Sequence, residues 1–205
     1  MKFAEMTCAR FLEALASPDP TPGGGTAAAM AGAMGTGLLV MVTGLAKSKT
    51  SSDAEKAALA AARQALQPLS PALTELADAD AAAFDQVMSA YRLPKATDND
   101  KAARSAAIQA ALQGATTVPL QTLRACAAAM AHAETVAGDG NRSAVSDVGV
   151  AIGLLEAAAA GAEANVRINL AGVRDLKFTS AASDETGRLI SAVNRQAAAA
   201  RSQLA

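Results

Sequence analysis

A long uncharged stretch from Gly23 to Ala46 limits most strongly what this chain can fold into. As a helix it would reach roughly 36 Å, which is long enough to cross a membrane. Much of the stretch is Ala, Gly and Thr, so its hydrophobicity is modest. Small side chains also let neighbouring helices approach closely. The stretch therefore favours a buried central helix of a soluble protein over a transmembrane helix.

The remaining sequence also favours helices. Hydrophobic residues make up 51% of the chain and aromatic residues only 2%, so most apolar side chains are Ala. Ala has the highest helix propensity, whereas strands favour β-branched and aromatic residues. We find no strand alternation, repeat or linker. The sequence therefore predicts an all-α protein, in which residues 1–205 form one antiparallel bundle of long helices.

Pro and Gly breaks divide the chain into predicted helices. Ser52 or Asp53 is a plausible N-cap after the polar turn of residues 48–53, and residues 93–100 form a second turn and cap. Residues 138–141 form another break, and residues 165–170 are predicted to be extended or irregular. The predicted helices are Phe3–Ala16, Thr26–Lys47, residues 53 to 92 with a break near Pro68 and Pro71, residues 100 to 137 with a kink near Pro119, Ser143–Ala164 and Asp175–Ser202.

Charge and cysteine content exclude several classes of protein. The 18 Lys and Arg residues against 19 Asp and Glu give a net charge of −1, without the basic surface of a nucleic-acid binder. Cys8 and Cys126 lack metal-ligand spacing, and we expect both to be reduced core residues, with no metal site. Charged residues interrupt the first fifteen positions, unlike a signal peptide. We expect a cytoplasmic protein that does not bind membranes.

Asp80 lies where a helix face should be apolar. Asp80 belongs to a series of residues spaced three and four apart, which places them on one helix face. The other five members are larger apolar or aromatic residues, namely Leu73, Leu76, Phe84, Val87 and Tyr91. Burial of a carboxylate raises its pKa toward the range useful for acid–base catalysis. The structural alternative is that Asp80 forms a salt bridge or caps a neighbouring helix. Spacing alone leaves both interpretations open.

Three other features also have two interpretations each. Asp147, which follows Asn141 and Ser146, is a candidate functional carboxylate like Asp80, but an acidic residue at a helix start is commonly a cap stabilised by the helix dipole. The segment Thr21-Pro22-Gly23-Gly24-Gly25 exposes backbone amides to a ligand, or is a tight turn; it is neither a Walker A nor a dinucleotide loop. His132 is a candidate base, although an ordinary surface or packing role is favoured.

Four segments together resemble the cyclodeaminase/cyclohydrolase family. They are FLEALASPDPTPGGGTAAAMAGAMGTGLLVMV, ADADAAAFDQVMSAYRLPK, AAIQAALQGATTVPL and GNRSAVSDVGVAIGLLEAAAAGAEANVRINL. The resemblance covers nearly the whole chain, without a formiminotransferase domain. Within the family, the chain resembles the stand-alone bacterial methenyltetrahydrofolate cyclohydrolases most strongly. The segment that carries this resemblance is MSAYRLPKATDNDKAARSAAIQAAL.

The resemblance implies an all-helical homodimer that binds a reduced folate, with or without a polyglutamate tail, and uses no cofactor. The expected reaction is hydrolysis of 5,10-methenyltetrahydrofolate to 10-formyltetrahydrofolate; the alternatives are 5-formimidoyltetrahydrofolate cyclodeaminase activity and a non-catalytic folate-binding or dimer-forming module. We expect Asp80, or else Asp147, to act as the base, and Lys95 to bind a folate carboxylate or donate a proton. The expected substrate-binding residues are Thr21, Pro22, Gly23, Gly24, Gly25, Phe84, Asn141, Ser146, Asn165 and Asn169.

Overall fold

A computed structural model describes residues 2–45 and 51–204. Within these ranges the chain forms helices and no strand, which confirms the predicted all-α class. Short 3-10 helices at Phe3–Glu5 and Arg142–Ala144 accompany eight α-helices. The α-helices are α1 Cys8–Leu15, α2 Gly24–Gly44, α3 Asp53–Leu66, α4 Leu69–Arg92, α5 Asp98–Met130, α6 Ala133–Asp139, α7 Val145–Leu170 and α8 Leu176–Ser202.

Several predicted boundaries are confirmed, and capping explains why. Ser52 caps α3 and Thr97 caps α5, each through a capping box with the third residue of its helix. Pro68 separates α3 from α4, as predicted. Pro119 lies inside α5, which continues to Met130. The predicted end of the second helix at Lys47 falls outside the described residues, as does most of the turn after it.

Three predicted boundaries are wrong. The first helix does not begin at Phe3, because an extended Met6 and a Thr7 cap delay α1 until Cys8. The helix predicted to reach Ala137 ends at Met130, and α6 begins three residues later. The segment 165–170 is not irregular, because α7 continues through it to Leu170. The segment contains no Ala, but its Val166 and Leu170 are buried, so tertiary packing outweighs the weak helix propensity of Asn, Val and Ile.

The core is built around α2, which packs against α3, α4 and α7. Its fully buried residues include Ala29, Thr36 and Leu39. A Cβ added at Gly35 would lie 2.9 Å from the Ala151 carbonyl oxygen of α7, so glycine permits this close approach of the two helices. Burial raises the pKa of the Cys126 thiol to about 12 and keeps it neutral. The prediction of a core thiol is confirmed there but is wrong for Cys8, which is exposed.

Two helical segments, α2 and Arg142–Leu170, are long and apolar enough to cross a membrane by length and composition alone. In the bundle, 56% of the apolar window of α2 is buried, as expected for a core helix. The corresponding figure for Arg142–Leu170 is 39%, so α7 keeps an apolar face that the described residues 2–45 and 51–204 do not cover.

Candidate active site

A pocket of about 270 Å³ lies where the start of α2 meets α4, α5 and α7. Its lining combines one carboxylate and two carboxamides with apolar side chains and the glycine segment. The lining residues are Pro20, Thr21, Gly23, Gly24, Gly25, Asp80, Ala83, Phe84, Val87, Ala115, Asn165 and Asn169. A concave apolar site with a few converging polar groups is typical of small-molecule binding.

Asp80 projects from α4 against the first turn of α2. Gly23, the N-cap of α2, has no side chain to cap the helix. The Thr26 hydroxyl instead donates a hydrogen bond to Oδ2 of Asp80 at 3.1 Å. A Cβ on Gly25 would lie only 2.2 Å from Oδ1 of Asp80, so any larger residue there would displace the carboxylate. Asp80 therefore caps a neighbouring helix and lines the pocket at the same time.

The pKa of Asp80 is raised above its ordinary value, and burial is the main cause. The hydrogen bonds from the hydroxyl and the amide of Thr26 lower the pKa and only partly offset burial. The carboxylate is thus a stronger base than an exposed aspartate while still facing a pocket. A shifted pKa in a cleft is a common property of functional residues.

Asn165 and Asn169 lie one helical turn apart on α7, so the helical course of residues 165–170 is what places both at the pocket. Nδ2 of Asn165 donates to the Gly161 carbonyl at 2.8 Å, and Nδ2 of Asn169 donates to the Ala115 carbonyl at 2.7 Å. Each side chain is thereby oriented. Each keeps its carbonyl oxygen as an acceptor for a ligand.

The glycine segment forms another wall of the pocket. Thr21 and residues 23–25 line the pocket, whereas Pro22, which follows a cis peptide bond, is buried behind it. Phe84 is 36% exposed and, with Val87, forms an apolar side of the pocket. The segment presents backbone and little side chain, which suits a flat ring packed against it.

Asp147, Ser146 and Asn141 do not line this pocket. Asp147 lies in the first turn of α7, roughly 27 Å along the helix from Asn165. Ser146 is exposed beside it, and the Asn141 side chain accepts a hydrogen bond from the Ser143 amide at 2.9 Å. Within one chain, these predicted site residues therefore lie near the start of α7, at the opposite end of that helix from the pocket.

Lys95 and His132 also lie elsewhere. Lys95 follows α4 and lines a separate pocket with other cations. His132 is half-buried at the N-cap of α6 and does not line the Asp80 pocket. Neither residue is brought to Asp80 within the chain that the structure describes.

A larger depression of about 580 Å³ runs between α4 and α5. It is an open groove lined mainly by Ala and Leu, and its Arg124 is paired with Glu185 at 2.7 Å. The smaller pocket is the stronger candidate, because it holds a partly buried carboxylate whose pKa is shifted.

Thr26 is a site residue that the sequence did not predict. Its position directly after the glycine segment, at the start of an apolar helix, is a signal that could have identified it. Ala115 was missed as well, because only its backbone carbonyl matters, as the acceptor for Asn169.

The pocket as a whole suits a flat, nitrogen-rich ligand that carries positive charge. Asp80 attracts a cation and accepts a proton, the two carboxamide oxygens accept hydrogen bonds, and the glycine segment contacts a ring face. Among the described residues, no cluster of three His, Cys, Asp or Glu side chains could hold a metal ion. The fold and pocket define an all-helical protein with a carboxylate-centred small-molecule site.

Comparisons with known proteins identify the family. The formiminotransferase-cyclodeaminase family matches residues 7–188, and the chain belongs to it. The chain is 45% identical over 172 residues to a methenyltetrahydrofolate cyclohydrolase of Methylorubrum extorquens, covering 84% of this chain and 83% of that protein. It is 34% identical to formimidoyltransferase-cyclodeaminase of Sus scrofa, covering 92% of this chain but only 35% of that longer protein.

The fold is also similar to a solved structure. The crystal structure of formiminotetrahydrofolate cyclodeaminase from Thermotoga maritima matches with a TM-score of 0.86 at 25% identity. The match covers 98% of this chain and 96% of that one. The helical arrangement around the pocket is therefore shared with that cyclodeaminase.

Proposed function

We propose that this protein hydrolyses 5,10-methenyltetrahydrofolate to 10-formyltetrahydrofolate. The observation that carries the proposal is the Asp80 carboxylate, with its raised pKa, in a pocket of ring size. The 45% identity to a methenyltetrahydrofolate cyclohydrolase, over most of both chains, supports this reaction among those of the family.

The substrate's bridging carbon belongs to an amidinium cation between N5 and N10. A water molecule adds to this carbon while Asp80 takes one of its protons, giving a neutral tetrahedral adduct. The bond from the carbon to N5 then breaks and N5 takes up the proton that Asp80 holds. The hydroxyl of the adduct releases its own proton to water as it becomes the carbonyl, and the formyl group stays on N10. Asp80 assists twice, because its negative charge also attracts the cationic substrate.

The two asparagines suit the pteridine ring. The ring edge carries an amino group and an amide N–H, which are donors, and Asn165 and Asn169 keep carbonyl oxygens as acceptors. The glycine segment and Phe84 lie where they would contact the ring faces. In this arrangement the amidinium lies toward Asp80.

The first test removes the carboxylate. We expect Asp80→Asn to lower kcat/KM for methenyltetrahydrofolate by about 10²- to 10⁴-fold, the usual contribution of a general base. The measurement is the loss of methenyl absorbance, corrected for spontaneous hydrolysis. Asp85→Asn is the matched control, because Asp85 is an exposed aspartate on the same helix.

Folding of the variant can be checked independently. The folded state binds the proton of Asp80 more tightly than the unfolded chain does, so ionisation of Asp80 opposes folding at neutral pH. Asp80→Asn should therefore unfold at a temperature no lower than the wild type does. Full hydrolysis by a folded Asp80→Asn protein would exclude Asp80 as the base.

The second candidate reaction is cyclodeamination of 5-formimidoyltetrahydrofolate, in which N10 attacks the same carbon and ammonia leaves. The similar cyclodeaminase structure favours keeping this candidate. Supplying each substrate separately distinguishes the two, because cyclodeamination produces methenyl absorbance and ammonia, whereas hydrolysis removes the absorbance. Folate binding without either turnover would instead support a non-catalytic module.

The same proposal includes a cytoplasmic homodimer that acts without a metal or other cofactor. Support for the dimer comes from the outward face of α7, where Val150 is 55% and Ile168 is 72% exposed. Between them the face carries the small exposed residues Gly153, Ala157, Ala160 and Ala164, with the exposed Arg167 at its edge. A continuous exposed apolar face commonly marks an interface.

The predicted antiparallel bundle is supported by the short connection between α4 and α5.

A further inference from the structure

Two threonines flank the glycine segment, and their hydroxyl groups have different surroundings. The Thr26 hydroxyl belongs to a buried residue and donates to Oδ2 of Asp80 at 3.1 Å. Thr21 is half-buried and lines the active-site pocket. Within residues 2–45 and 51–204 its hydroxyl has no hydrogen-bond partner, and it is open to solvent. A group that can both donate and accept a hydrogen bond is therefore unused beside the pocket.

The other polar side chains that line the pocket already have assignments. Asp80 is the base, and the amide nitrogens of Asn165 and Asn169 hold backbone carbonyls at 2.8 and 2.7 Å. The carbonyl oxygens of the two asparagines face the ring edge in the proposed complex. Of the side chains that line the pocket, Thr21 thus has the polar group that is left for a further ligand.

Hydrolysis requires a place for water as well as a base. A water molecule that attacks the amidinium carbon directs a lone pair at this carbon and one hydrogen at Asp80, so its second hydrogen needs another acceptor. Water held inside a protein makes two to four such contacts with polar groups. One molecule takes up about 30 Å³ in the liquid, so the pocket of about 270 Å³ has room for it beside a ring.

We infer that the Thr21 hydroxyl holds the attacking water by accepting its second hydrogen, an inference that rests on the proposed hydrolysis. The water is then fixed between two different elements, because Asp80 belongs to α4 and Thr21 to the segment before α2. Fixing a nucleophile beside its target lowers the entropic part of the barrier. Thr21 is therefore a positioning residue, and Asp80 remains the base.

The same contact serves the second step of the reaction. When the bond to N5 breaks, the hydroxyl of the adduct becomes the formyl carbonyl and loses the hydrogen that faces Thr21. The Thr21 hydroxyl accepts this proton and passes its own to solvent, to which it is open. One proton leaves the site in total, which balances the reaction of a cation with water to give a neutral formyl group.

This role applies to hydrolysis and not to cyclodeamination. In cyclodeamination the nucleophile, N10, is part of the substrate, so no water has to be held for the attack. The Thr21 hydroxyl is therefore a determinant of the hydrolytic reaction rather than of folate binding.

The test changes the hydroxyl and the shape of the side chain separately. Thr21→Val keeps the branched shape and removes the hydroxyl, whereas Thr21→Ser keeps the hydroxyl and removes the methyl group. We expect Thr21→Val to lower kcat for methenyltetrahydrofolate by about tenfold, the factor for loss of one hydrogen bond, with KM unchanged. Thr21→Ser should keep most of the wild-type kcat.

Thr74→Val is the matched control. Thr74 is a half-buried threonine of α4 that does not line the pocket, and its hydroxyl donates to the Ser70 carbonyl at 2.9 Å. This variant should keep the wild-type kcat and KM. Thermal unfolding followed by circular dichroism verifies that each variant is folded.

The order of the two Thr21 variants decides the inference. If Thr21 served only as part of the pocket wall, Thr21→Val would keep kcat and Thr21→Ser would lose it, and this order would overturn the inference. So would a loss in Thr21→Val that lies in KM alone, because it would assign the hydroxyl to substrate binding. Either result, with hydrolysis by the wild type intact, would leave the proposed reaction standing. Absence of hydrolysis by the wild type would refute the proposed reaction and the role of Thr21 with it.

Discussion

Asp80 combines two roles that sequence reasoning treated as alternatives. It caps α2 through Thr26, which is the structural role, and it lines the pocket with a raised pKa, which suits the chemical one. The two are compatible because a carboxylate has two oxygens, and Oδ2 alone accepts from the Thr26 hydroxyl. The hydrogen bond also fixes the side chain in one orientation, as a catalytic base requires.

The pH dependence of turnover tests the Thr26–Asp80 contact. The base is the ionised carboxylate, so kcat/KM should fall as the pH falls through the raised pKa of Asp80. The Thr26 hydroxyl lowers this pKa, so its removal in Thr26→Val should move the acid limb of the pH–rate profile to higher pH. The check is a full pH–rate profile of both proteins.

Thr36→Val provides the comparison for this profile. Thr36 is buried in the same helix, and its hydroxyl donates to the Gly32 carbonyl rather than to Asp80. Its acid limb should coincide with that of the wild type. An acid limb that stays in place in Thr26→Val, or moves to lower pH, would contradict the assignment of that limb to Asp80.

At the scale of helices, the boundaries marked by a capping box were predictable, and several others were not. Ser52 and Thr97 carry sequence signals, because each is followed three residues later by an acidic partner. The break between Met130 and Ala133 carries none, since Ala131 and His132 continue a helical composition. Tertiary packing decides there, and a single sequence does not reveal it.

The pocket was predictable only in part, for a similar reason. Asp80 was evident from the apolar face around it, and the glycine segment from its composition. Asn165 and Asn169 were named as site residues, but in a segment with the wrong secondary structure. What sequence did not provide was the register between helices, which places Thr26 beside Asp80 and Ala115 beside Asn169.

The close packing of α2 on α7 predicts that replacing glycine by alanine lowers the free energy of unfolding at Gly35 and raises it at Gly187. Gly35→Ala should lower the free energy of unfolding by about 1–3 kcal/mol, the usual cost of overpacking. Its new Cβ would meet the Ala151 carbonyl oxygen at 2.9 Å and Leu155 Cγ at 3.0 Å. Gly187→Ala in α8 meets nothing within 4 Å and should gain about 0.5–1 kcal/mol from helix propensity.

Chemical denaturation followed by far-UV circular dichroism, at one protein concentration, measures both glycine variants. The chain has no Trp, so circular dichroism is preferable to intrinsic fluorescence. Equal changes of the same sign at Gly35 and Gly187 would show that helix propensity, rather than close contact, governs both positions.

At the scale of the whole molecule, the proposed dimer offers a place for Asp147. A twofold axis perpendicular to α7 near Ala157 would pair the exposed apolar faces of two antiparallel copies. Asp147 and Asn165 are 18 residues apart, a whole number of helical turns, and so lie along the same edge of that face. Rotation about this axis leaves the edge on the same side of the helix pair in both copies. The partner's Asp147 would then lie beside Asn165 and the Asp80 pocket.

Mixed dimers test whether the two carboxylates act across the interface. We expect Asp80→Asn and Asp147→Asn to be nearly inactive when purified separately. In a co-expressed mixture, a mixed dimer would hold one site with both aspartates and one site with neither. Random pairing would then restore about one quarter of wild-type activity, as twofold symmetry requires. If each site were built from a single chain, every site would carry one substitution and no activity would return. Activity that reappears on mixing, in proportion to the mixed dimers counted by native mass spectrometry, would place Asp147 at its partner's site.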